Sequence, residues 1–140
     1  MKKFVRTVFI SFTIWIAAAL INSIMVTAWS LFSGHGSGQP LLTFAMVTAL
    51  SLLFSIPGIF IFWIFFIANY YEAGLFQLLL KTGLFTSLFS TLLFFGCAGK
   101  GLSGAYWFAL FAVTAAIAAI LIHHSTITNN VITNKNKTNV

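Results

Sequence analysis

Glu72 is the only carboxylate side chain among the 140 residues, so any acid–base chemistry would have to be built around a single acid. Paired-carboxylate catalysis is excluded, because no second acid exists to hold the opposite protonation state. The three histidines do not make a metal centre either. His35 lies in a Gly-rich loop, while His123 and His124 end the last apolar segment, on the far side of the chain's greasy part. Neighbours on a helix point in different directions, and zinc takes three or four converging ligands. No metal and no cofactor are therefore expected. Cys97 is a nucleophile only with a base beside it. His35 falls on the same side, but no acid completes the set, and a lone cysteine closes no intrachain disulfide.

The remaining candidates are polar without being ionisable. Asn22 sits inside a long apolar run, where an amide needs a hydrogen-bond partner on another helix. Ser51 and Ser55 fall at helical spacing in one segment, Ser87 and Thr91 in another, and with Thr48 and Ser90 they could line a hydroxyl path. Pro57-Gly58 interrupts the same segment as Ser51 and Ser55. A proline there removes one backbone hydrogen bond and predicts a kink. Broken helices of this kind build substrate sites in some transporters and are purely structural in many other membrane proteins. Gly83 begins a small-residue stripe with Ser87 and Thr91.

The elements that must carry these residues are set by hydropathy. No Lys, Arg, Asp or Glu occurs between Arg6 and Glu72. Hydrophobic content of 60%, charged content of 6% and a mean hydropathy of +1.03 exclude an ordinary soluble domain. Four segments reach the roughly 20 residues a span requires: about Val8–Leu31, Leu41–Ala68, Gly74–Phe95 and Ser103–Ile122. Helices are the form such runs take in lipid. The expected fold is all-α, a polytopic membrane protein with four transmembrane helices in an up-down bundle of two hairpins. Residues 1–124 form its single domain, and 125–140 form a disordered polar tail rich in Asn, Thr and Lys. Each span carries small residues at helical spacing: Ala19, Ser23 and Thr27; Thr48, Ser51 and Ser55; Gly83, Ser87 and Thr91; Ala105, Ala109, Ala112 and Ala116. These are the natural seams of a bundle.

Lys81 lies two turns inside the third segment. Either it snorkels to the headgroups, or Tyr71–Leu80 lies in the interface and the span starts at Thr82. Snorkelling is preferred, because the second choice leaves a short span. Basic residues then fall mostly on one side: Lys2, Lys3, Arg6, Lys81, Lys135 and Lys137 against Lys100 alone. That side is cytoplasmic by the positive-inside rule, so both termini are expected there. Arg6, Glu72 and Lys81 form the inner-interface charges, and Glu72 is expected to pair with one of the other two. Trp29, Tyr106 and Trp107 mark the outer interface, and Trp63, Tyr70 and Tyr71 the inner one. The rival for the first segment is a signal peptide, with small-residue sites at Ala17–Ala19 or Val26–Ala28. Its apolar run is longer than such peptides use.

The function expected is a non-enzymatic membrane component or accessory subunit. Its partners would be the lipid bilayer and either further copies of itself or an unidentified membrane protein. Nucleic acid is not expected, since the basic residues are not clustered on one face. The alternative is a small oligomeric pore, carrier or holin-like protein. The chain resembles phage holins in its small size, several spans and basic tail, without a shared motif. It is similar to small multidrug carriers in size and span count, but their membrane-embedded glutamate has no counterpart here. The Met-Lys-Lys start and short loops suit a bacterial inner membrane.

Overall fold

A helix in lipid closes its own backbone hydrogen bonds. In the computed structural model, all regular structure among the described residues is helical; these residues are 2–34, 39–70, 72, 74–98 and 105–129. The elements are α1 (Lys2–Phe32), α2 (Pro40–Phe54), α3 (Ile56–Ala68), α4 (Leu75–Ala98) and α5 (Ala105–Ile122). At the end of α1 the Ser33 N–H donates to the Trp29 carbonyl at 2.9 Å. Gly34 then adopts a φ of +67°, a left-handed turn that a side chain would strain. Pro40 lies in the first turn of α2, where its missing N–H has no helical partner to lose. Pro57 stands in the first turn of α3 and withholds an N–H from the carbonyl of Leu53. The result is a 52° bend between α2 and α3, centred on Ser55.

The helices close a ring. α1 packs on α2, α3 and α5, and α4 packs on α3 and α5, whereas α2 touches α4 only lightly. Ring contacts locate the ends. Phe4 meets Trp63 edge-on at 5.2 Å between ring centroids, and Phe76 meets His124 at 4.3 Å. At the other end Trp29 stacks on Trp107 at 4.9 Å, and Phe95 meets Phe108 at 5.6 Å. The core belongs to the first of these ends. It contains Ile10 and Ile14, Phe62, Phe66 and Tyr70, Leu75 and Leu79, Ala119, Ile120 and Ile127. α2 buries no residue, and Leu41, Leu42, Met46, Leu50 and Leu53 face outward. The ring is therefore tight at one end and splayed at the other.

Among the described residues two helical stretches, Phe4–Phe32 and Leu75–Gly96, are long and apolar enough to cross a membrane, consistent with a membrane location. The expected continuous second span is two helices, which count as a third crossing only if the bent pair is taken as one. The described apolar part of α5, Tyr106–Ile122, is shorter than a span requires. α4 begins at Leu75, and its first turns place Leu75 and Leu79 in the core. Lys81 lies within α4 on an exposed face. Tyr70, expected at an interface, is fully buried and stacks against Phe66 at 6.0 Å. The helix also resumes over 124–129, inside the segment read as disordered. Ile127 explains this: it is 1% exposed and joins the core one turn beyond His123, whose carbonyl accepts its N–H at 2.9 Å. The remainder of the expected tail, 130–140, lies outside the described residues.

Candidate functional site

The seam between α1 and α2 is polar at three successive levels. The Trp15 indole N–H donates to the Ser55 hydroxyl, the Asn22 amide donates to Ser51 Oγ at 2.9 Å, and the Thr48 hydroxyl lies 2.9 Å from Ser23 Oγ. Residue numbers rise along α1 as they fall along α2, so the ladder fixes both register and direction. Such interhelical bonds are a main source of specificity where lipid removes the hydrophobic driving force. Ser55 does double duty at the bend. It accepts from Trp15 and returns its own proton to the Ser51 carbonyl, one turn earlier.

On the other side of the bend, α3 approaches α4 through Gly58. A Cβ at Gly58 would lie 2.9 Å from Ser90 Oγ and 3.3 Å from Thr86 Cβ, so only glycine permits this approach unaltered. Gly83 serves the next seam, where an added Cβ would strike the Cδ1 of Ile120 on α5. Tight α3–α4 packing, with α2 bent away, leaves a half-enclosed cleft of about 190 Å³. Its walls are apolar and aromatic, including Ile14, Trp15, Phe54, Phe62, Phe94 and Phe108.

Of the residues singled out in the sequence, Asn22, Ser51, Ser55, Gly58, Gly83, Ser87 and Thr91 all border this one cleft, as do Ser90, Ala112 and Ala116. Pro57 does not; it is exposed and acts through the bend. Thr48 is taken up by the α1–α2 seam. Trp15 and Thr86 were not among the candidates. The signal for Trp15 was its spacing, since 15, 18, 19 and 22 fall on one helical face.

The polarity of the cleft is specific. Among the described residues no ionisable side chain borders it. Most of its hydroxyls spend their protons on their own helix: Ser55 on Ser51, Thr86 on Gly83, Ser87 on Leu84 and Thr91 on Ser87. Ser90 is different, having no hydrogen-bond partner among the described residues, and its oxygen is not sealed from the cleft. Asn22 Oδ1 is buried without a partner. Turning the amide over would satisfy that oxygen with the Ser51 hydroxyl and orphan the NH2 group instead, so the seam carries one unmet polar atom either way.

The charged candidates stand apart. Arg6, Glu72 and Lys81 are exposed, and no ion pair within 4.0 Å joins Glu72 to either base. Exposed pairs gain little over hydration, so nothing compels the expected pairing. The His123 ring nitrogen Nδ1 lies 2.8 Å from the Ala119 carbonyl, and His124 sits against Phe76. Among the described residues no three His, Cys, Asp or Glu side chains converge. His35, Tyr71 and Lys100 lie outside the described residues, as does the side chain of Cys97.

No protein family, no curated protein and no solved structure matches this chain.

Proposed function

We propose that the chain is a non-enzymatic integral membrane protein, an accessory component with four spans in up-down order as two hairpins. The single observation that carries the reading is the lining of the cleft: among the described residues no carboxylate, histidine, cysteine, lysine or arginine borders it, so no ionisable side chain is placed there for acid–base catalysis. α2 and α3 act as one bent span, and α5 lies in the fourth. The alternation of helix ends in the ring contacts supports this order. The excess of Lys and Arg near the chain ends supports cytoplasmic termini, in a bacterial inner membrane.

A pore through one copy is disfavoured by the core around Phe66, Tyr70 and Leu79, which fills the ring beyond the cleft. Purification of the tagged chain in mild detergent, followed by the intact mass of the complex, tests the accessory role. A second protein in fixed ratio is the expected result. A closed ring of identical copies, together with loss of membrane potential on overexpression, would overturn it in favour of a holin-like pore.

A further inference from the structure

We propose that the cleft between α2 and α4 is a binding site for a small uncharged amphiphile, a molecule with an apolar body and one hydroxyl. The inference goes beyond the accessory role and stands whether or not a partner protein is found. Three observations on the cleft converge. Its volume of about 190 Å³ exceeds the roughly 150 Å³ that holds one benzene in an engineered apolar cavity, so an aromatic ring with a short chain fits. The described residues of its walls carry no charge, which selects against ions because a buried charge without a partner is costly. Among its described hydroxyls only Ser90 has both donor and acceptor capacity unspent.

Gly58 is what keeps that hydroxyl open. A methyl group at position 58 would sit 2.9 Å from Ser90 Oγ and cover it. The Ser87 and Thr91 hydroxyls, their protons already committed, offer lone pairs only. A guest hydroxyl can therefore accept from Ser90 and donate to a neighbouring hydroxyl oxygen, while its body lies against Phe54 and Phe94. A purely hydrocarbon guest leaves Ser90 unpaired in a water-poor site.

The test uses the full chain in phosphatidylcholine vesicles, photolabelled with a diazirine-bearing alkylphenol. Labelled residues are read by mass spectrometry, and 4-butylphenol and butylbenzene are compared as competitors at equal membrane concentration. Saturable labelling on α2 and α4 cleft residues is expected, with 4-butylphenol the stronger competitor by about fivefold, the worth of one modest hydrogen bond. In Ser90→Ala the two competitors should become equal while saturable labelling persists. Gly58→Ala, whose Cβ must push aside or cover the Ser90 hydroxyl, should have the same effect. Equal competition in the unaltered chain, a phenol preference that survives Ser90→Ala, or unsaturable labelling spread over outward-facing residues such as Phe85 would each overturn the proposal.

Discussion

The indole of Trp15 donates its hydrogen bond to Ser55, the residue at which the α2–α3 helix pair bends by 52°. The bend is thus anchored from the outside by a neighbouring helix, not only permitted by the proline beside it. Removing the acceptor strands a buried donor, which costs more than removing both partners. Ser55→Ala should lower stability in detergent by about 1–2 kcal/mol. Trp15→Phe with Ser55→Ala should cost less than the sum of the two single changes. Additive single effects in a denaturation series would break the claimed coupling.

Pro57→Ala returns an N–H to the Leu53 carbonyl and should relax the bend. The 15 residues of α2 form a lever of roughly 22 Å at about 1.5 Å per residue. Spin labels at Val47 and Phe94 should therefore move several Å closer as α2 swings towards α4. An unchanged distance would mean that the α1 ladder alone holds α2 away.

Two glycines should respond differently to size. Gly58 faces the Ser90 hydroxyl, which can turn aside, and the Thr86 Cβ and backbone oxygen, which cannot. Gly83 faces the end of the flexible Ile120 side chain. Gly83→Leu should destabilise the fold by roughly 1–3 kcal/mol through overpacking, and Ile120→Ala should recover most of that loss. No such rescue is expected for Gly58→Leu. The same measurement on Phe85→Leu, an exposed site, should show little change.

Ile127 lies in a stretch whose composition reads as a solvated tail, yet it is almost wholly buried. Ile127→Ala should cost roughly 2 kcal/mol by emptying a core position, whereas Thr126→Ala, at an exposed neighbour, should be neutral. Thermal unfolding of the purified chain distinguishes the two.

Hydropathy and small-residue spacing located the helices and singled out Asn22, Ser23, Thr48 and Ser51, but paired none of them across helices. The kink at Pro57 was legible for the same reason that it forms: proline has no N–H. What composition could not supply was tertiary. Nothing in the composition marks Tyr70 for burial, yet it joins one core cluster with Phe66, Leu75 and Leu79. The sequence Ser-Thr-Ile-Thr-Asn-Asn over 125–130 looks solvated, because the one residue that anchors it is a single isoleucine. Nor does hydroxyl content reveal which protons are spent. Ser87, Ser90 and Thr91 look equivalent in the chain, yet two bond back to their own helix and one does not.

The four-span arrangement is tested most directly by single-cysteine topology mapping in a Cys97→Ala background. Cysteines are placed at Ser33, Asn69 and Asn129, and intact cells are treated with a membrane-impermeant maleimide. The predicted result is labelling at position 33 from outside, with positions 69 and 129 labelled only after permeabilisation. Labelling at 69 in intact cells would make α2 and α3 a re-entrant pair. Labelling at 129 alone would mean that α5 does not cross, and either outcome would contradict the up-down bundle.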